Sequence, residues 1–281
     1  MSSEVISQMI GKSTTSSIIS LFLNSNICSI LHQDKYFKTD AEIPLVTYQL
    51  DVTYQLENVM EESNVHKSTS THEDAQEDTQ KDTQADTITV ANWDCLDALH
   101  LPVFEARLAT LKSSTSQFPT SHDLSPNRPR VNSILDFEKD PNFSDSLQLL
   151  SELQVLLTSN NLHLILVDGF LLYYSQQIIE TLDLSLFFKA SLKTLVERRA
   201  KRFAYMTPEG TWTDPPQYFE KVVYPEYLKN NALVLGGGGQ NNTLVKSICA
   251  DSNQPLHVVL YTALECIKNH CESIISNNKN S

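Results

Sequence analysis

The 281-residue sequence contains no apolar run of the ~20 residues that a membrane-spanning helix needs, so no membrane partner is expected. Its N-terminus has no basic stretch followed by an apolar core, and no secretory leader is read there. The five cysteines, Cys28, Cys95, Cys249, Cys266 and Cys271, lack the short paired spacings of a zinc site, and Cys266 and Cys271 are too far apart for a C-x-x-C pair. Free thiols in a reducing compartment are the expectation, which points to the cytoplasm, with the nucleus also open. Basic charge is scarce as well: 21 Lys and Arg stand against 34 Asp and Glu, a net charge of −13. A nucleic-acid backbone calls for a basic face, so nucleic acid is not an expected partner.

Much of the acidic excess is local. Between Glu57 and Thr87 there are nine acidic residues and two lysines, a net of −7, which leaves −6 for the rest of the chain. The same region carries short repeats: VTYQLDVTYQL at 46–56 and EDTQKDTQADT at 77–87. Its few apolar side chains cannot offset the entropy of ordering it, so 57–88 is expected to be a disordered acidic insertion in a surface loop. A second polar, Pro-containing stretch at 113–133 is read as another long loop.

The remainder is 41% hydrophobic over the whole chain and alternates between two periodicities. Helical patterns run over Ser13–Leu23, around Leu96–Leu111 with Pro102 near its start, over Leu147–Leu157, Leu192–Lys201 and Leu260–Ile274. Short apolar runs at Ile27–Leu31, Leu162–Val167, Leu184–Phe188 and Ala232–Leu235 read as strands. Strands alternating with helices imply an α/β fold with a mostly parallel sheet covered on both faces, expected here as a single domain over 1–281. In such sheets ligands bind beyond the carboxyl ends of the strands.

Several residues there carry chemistry. Gly11, Lys12, Ser13 and Thr14 start the first helix, and Gly-Lys-Ser is the end of a phosphate-binding loop, with the lysine for β- and γ-phosphates and the hydroxyl for Mg²⁺. It is also a tripeptide that occurs at helix starts by chance. Asp168 ends the strand LHLILVDGF, where a carboxylate can hold Mg²⁺ or merely cap the next turn. Asp34, in His32-Gln-Asp-Lys-Tyr36, follows the second strand, where it can take a hydroxyl proton or simply line a surface turn. Asp94, in Asn92-Trp93-Asp94, has the side chain of a helix N-cap. With Trp93 beside it, the pair also suits a riboside, the carboxylate taking sugar hydroxyls and the ring stacking on the base. Arg198, Arg199 and Arg202 run into Phe203-Ala-Tyr205, as arginines of a phosphate-covering lid do and as a solvated basic helix face also does.

In this order the motifs GKST, SILHQDKYFK, NWDCLDAL, LILVDGFLLYY and VERRAKRFAYMTPEGTWTDPPQYFEKVVYPEYLKN resemble the fungal nicotinamide riboside kinases of the P-loop nucleoside kinase group. The resemblance implies a three-layer P-loop kinase fold, ATP and Mg²⁺ as cofactors, and a nucleoside as substrate. It implies Asp34 and Asp168 at the catalytic centre with Lys12, and Mg²⁺ associated with Ser13, Asp34 and Asp168. It implies ATP contacts from Gly11, Lys12, Ser13, Thr14, Arg198 and Arg202, within a lid at 198–216. Nucleoside contacts fall to Asp34, Tyr36, Trp93, Asp94, Arg199 and Tyr205.

The chain departs from the pattern at its start. A full phosphate loop, G-x-x-x-x-G-K-[ST], puts its first glycine at position 6, which is Ile6. Met1 to Ile10 holds no glycine and no buried-strand pattern, so the first strand and half of the loop are expected to be missing, most simply through an incorrect start or a missed exon, and ATP binding to be weak. Two rival functions stay open: a uridine-kinase-like enzyme, and a non-catalytic remnant. No oligomeric state is read from the sequence.

Overall fold

The computed structural model describes residues 12–23, 26–51, 86–113, 139–200, 205–207, 210–236 and 244–279. Gly11 and the segment before it, Arg202, most of the acidic insertion and residues 114–133 of the second polar loop lie outside the described residues.

The apolar spacings become helices where expected. These are α1 (Lys12–Leu23), α2 (Leu101–Ser113), α3 (Ser144–Ser159), α5 (Leu192–Ala200) and α8 (Leu256–Lys279), with the short α4 (Gln176–Thr181) and α6 (Tyr224–Asn230) between them. The runs of aliphatic residues become strands β1 (Cys28–His32), β4 (Leu164–Asp168) and β5 (Ser185–Lys189). β1 pairs in parallel with β4, His32 opposite Asp168, and β5 pairs in parallel with β8 (Val245–Cys249). Successive residues of β4 serve opposite faces, as the period of two demands. Leu164 and Leu166 pack with α1, α3 and α8 through Ile19, Leu153 and Leu264. Ile165 and Val167 pack with α2, α4 and α6 through Phe104, Ile179 and Tyr227. The parallel strands therefore form a middle layer between two helical layers, an α/β arrangement broadly consistent with a P-loop kinase architecture. An apolar cavity of about 420 Å³ lies between β4 and β5, with Asp168 and Gly169 lining it where β4 ends.

The structure corrects four of the expectations. The strands are mixed rather than mostly parallel: β2 (Leu45–Gln49) with β3 (Thr87–Ala91), and β6 (Tyr205–Thr207) with β7 (Gly210–Trp212), are antiparallel hairpins. Thr87 and Ile88, assigned to the insertion, belong to β3, because they complete the ladder that Tyr48 and Gln49 begin. Ala232–Leu235 is not a strand but a helical turn, α7, which continues from α6 and is ended by Gly236 in the left-handed conformation at φ 80°. Four apolar residues before glycines fit both readings, and the helix upstream decides between them. Asn92-Trp93-Asp94 does not open a helix. A 3₁₀ turn at Leu96–Ala98 intervenes, and α2 starts at Leu101 with Pro102 in its first turn, where a missing N–H costs nothing.

Candidate active site

Two groups of side chains gather at the carboxyl end of the parallel strands. The first forms where β1, β4 and α1 meet. Ser13, in the first turn of α1, donates a 2.7 Å hydrogen bond from Oγ to Asp168 Oδ2. His32 Nδ1 lies 3.3 Å from the same oxygen, because the parallel register puts His32 opposite Asp168. Asp168 is buried and Asp34 half-buried. Lys12 begins α1 and Thr14 is half-buried in its first turn.

The turn that carries Asp34 is tied to the loop after Asp168. Gln33 is fully buried; its Nε2 donates to Leu171 O at 2.9 Å and its Oε1 accepts from Leu171 N at 3.0 Å. This pair replaces a backbone ladder just past the point where β1 and β4 end. The approach is close enough that Gly169 has no room for a side chain. A Cβ there would lie 2.6 Å from Gln33 Oε1 and 2.7 Å from Leu172 Cδ2. Tyr36 sits half-buried at the end of the same turn, edge-on to Phe104.

The second group surrounds Asp94. Its backbone N–H is received by Asn92 Oδ1 at 3.1 Å, an Asx turn that replaces the expected cap. Asp94 is buried, its Oδ2 finds no hydrogen-bond partner among the described residues, and its Oδ1 lies 4.0 Å from Arg199 Nη1. Burial pushes its pKa up to about 6; Arg199 and the Tyr218 hydroxyl oppose the shift, and Asp214 and Glu226 add to it. Arg199 is itself only 4% exposed, in the last turn of α5. Asp214 takes two of its donors, Nε to Oδ2 and Nη2 to Oδ1 at 2.8 Å. Tyr218 and Phe219 present their rings 5.7 and 6.0 Å from the guanidinium carbon. Trp93 is buried edge-on against Phe37, which stacks on Phe170, so its ring is not an open platform and stacking on a base requires its covering to move. Arg198 is half-buried beside Arg199, and Tyr205 lies on β6 at the start of the β6–β7 hairpin.

The structure thus brings Ser13 to Asp168, and Asp94 to Arg199. Reading the sequence gave no role to His32, Gln33, Asp214 or Tyr218. The first two lie inside the quoted motif SILHQDKYFK and the others inside TWTDPPQYF, but a residue that acts by bonding another distant in sequence has no local signature.

Hard oxygen donors suit Mg²⁺, which takes one or two carboxylates and completes its shell with water and phosphate. The hydroxyl of Ser13 and the carboxylate of Asp168 at the helix start fit that requirement. No cluster of three or more His, Cys, Asp or Glu side chains suited to a metal occurs among the described residues, so phosphate oxygens would have to supply much of the shell. All five cysteines are free thiols. Among the described residues no helix is long and apolar enough to cross a membrane.

No protein-family model matches the chain. It is 26% identical over 237 residues to the nicotinamide riboside kinase of Schizosaccharomyces pombe, covering 84% of this chain and 80% of that one. It is 27% identical over 198 residues to the nicotinamide riboside kinase of Saccharomyces cerevisiae, covering 68% and 80%. To that of Eremothecium gossypii it is 30% identical over 146 residues, covering 51% and 56%. These similarities make the chain a distant relative of the fungal nicotinamide riboside kinases of the P-loop nucleoside kinase group.

Proposed function

We propose that this protein transfers the γ-phosphoryl group of ATP to the 5′-hydroxyl of nicotinamide riboside, with nicotinic acid riboside as a second acceptor, giving the mononucleotide for NAD synthesis. One observation carries the reading: Asp94 is a buried carboxylate with an unpartnered oxygen, set beside an aromatic ring and a buried arginine. An oxygen in that state is costly unless a ligand donates to it. The ribose 2′- and 3′-hydroxyls are such donors, and Arg199 Nη1 can donate to the same diol. Trp93 next to Asp94 would supply an aromatic wall for a cationic pyridine ring once Phe37 moves off it.

The reaction forms one P–O bond at the 5′-oxygen and breaks the one to ADP. Asp34, at the end of β1, takes the hydroxyl proton as the new bond forms. Ser13 and Asp168 would hold Mg²⁺, which draws charge from the transferring group. The N-terminus of α1 adds its dipole at the phosphates, and Arg198 and Arg202 neutralise them from the lid.

The test is a coupled assay of the full chain at saturating ATP and Mg²⁺. ADP and the mononucleotide should appear in equal amounts only when the riboside is present. ADP release that ignores the riboside, or no transfer at all, would sink the proposal.

A further inference from the structure

Asp214 has a place that neither neutralising nor packing requirements explain. A buried guanidinium needs a counter-charge, and Asp94 alone could supply one. Instead Arg199 gives Nε and Nη2 to Asp214 and stops 4.0 Å short of Asp94, too far for a hydrogen bond. A guanidinium held through Nε and one terminal nitrogen is fixed in its plane, and the other terminal nitrogen is turned the opposite way. Here that nitrogen is Nη1, and it faces Asp94. Trp212 Nε1 donates to Asp214 Oδ1 at 3.2 Å, so the carboxylate is itself held, from the end of hairpin β6–β7. The rings of Tyr218 and Phe219 close on the guanidinium and keep it from leaning away.

We propose that Asp214 is a positioning residue that holds Arg199 off Asp94, so that a donor and an acceptor both stay available to the vicinal diol of a nucleoside. The proposal rests on the reading of Asp94 and Arg199 as the sugar-binding pair. Without Asp214, Arg199 turns and pairs with Asp94 directly. The diol then has to compete with an ion pair for both groups. Because Asp214 is two residues past β7, the same bonds link the lid hairpin to the sugar subsite.

The groups that face Asp94 are Arg199, Asp214, Tyr218 and Glu226, which makes its titration a direct report of the arrangement. The experiment uses the full chain as wild type and Asp214→Asn. It follows the Asp94 carboxyl by ¹³C NMR, with Asp94→Asn to assign it, and measures nicotinamide riboside affinity by calorimetry. In Asp214→Asn the Asp94 titration falls in part because a neighbouring negative charge is gone, and Arg199 closing on it should bring the total fall to about one unit or more. The Kd for the riboside should rise about tenfold or more, as expected when charge-assisted bonds are lost. Asp214→Glu should recover part of both. An unmoved Asp94 titration in folded Asp214→Asn overturns the proposal, and so does a lowered titration with unchanged affinity. If Asp214→Asn does not fold, Trp212→Phe removes only the indole bond to Asp214, and the same downward shift, smaller, is then required. A wild type that binds no riboside defeats the functional reading, while the Asp94 titration still decides the positioning role.

Discussion

Ser13 and Asp168, 155 residues apart in sequence, meet through a 2.7 Å hydrogen bond at the point where α1 begins and β4 ends. The bond fixes a hydroxyl and a carboxylate at the positive end of a helix dipole, where an anion is favoured. It also predicts how the two residues fail. Asp168→Asn keeps an acceptor for Ser13 and the shape of the site but loses the charge. Turnover should fall about 100-fold or more, while the melting temperature stays close to wild type. Steady-state kinetics and a thermal melt on the same sample check this; near-normal turnover would remove Asp168 from the chemistry.

Asp94 should trade stability for binding. Burial holds its folded pKa at about 6, above the ordinary carboxyl value of 3.8. The folded state therefore holds the proton more tightly than the unfolded state. The corresponding stability is fully present below pH 3.8 and is lost as pH rises through 6, an effect of about 3 kcal/mol. Asp94→Asn removes that dependence, so at pH 8 it should melt higher than wild type yet bind the riboside about tenfold more weakly or worse. Denaturant titrations at pH 5 and pH 8 measure the first part and calorimetry the second. A variant that is both less stable at pH 8 and unimpaired in binding contradicts the role given to Asp94.

Gln33 and Gly169 should behave as one unit. Gln33→Ala leaves the N–H and C=O of Leu171 buried and unpaired, a loss of about 2–4 kcal/mol. Gly169→Ala drives a methyl into Gln33, a loss of about 1–3 kcal/mol. In the double variant the contact with Gln33 Oε1 is gone, while the Cβ of residue 33 and Leu172 Cδ2 still crowd the new methyl at 2.7 Å, so the combined loss should be less than the two added together but larger than for Gln33→Ala alone. Additive losses in a double-mutant cycle would mean the two residues do not meet in this way.

The acidic insertion should be dispensable. Leu50 N donates to Asp86 O at 3.0 Å, so the ends of β2 and β3 are already side by side before the insertion departs. Replacing residues 52–85 with an Asn-Gly turn, which suits a two-residue hairpin, should leave the fold cooperative and the kinetics unchanged. A product that fails to fold would show that the insertion packs on the rest of the protein.

The helices and the buried strands were legible because a buried face repeats a period that the sequence displays: Ile18, Ile19 and Leu23 in α1, Leu164 to Val167 in β4. The antiparallel hairpins were not. Leu45–Gln49 has one buried residue in five, and β6 and β7 have three residues each, too few to show an alternation. The motif residues Ser13, Asp34, Asp94, Asp168 and Arg199 could be picked out by type and order. Their partners could not, because Gln33 bonds a backbone 138 residues away and Asp214 works through Arg199. Trp93 is legible by type as a stacking surface, but its burial against Phe37 depends on contacts that no local pattern records.

The measurement that bears most directly on the central claim is the ratio of kcat/KM for nicotinamide riboside to that for uridine, on the full chain at saturating ATP and Mg²⁺. Asp94 and Arg199 serve the ribose of either nucleoside, so the ratio isolates the base and the aromatic wall beside it. The account predicts a preference for nicotinamide riboside of about tenfold or more, reduced toward unity in Trp93→Ala. Equal or better use of uridine would contradict it, as would a preference that survives the loss of Trp93 intact.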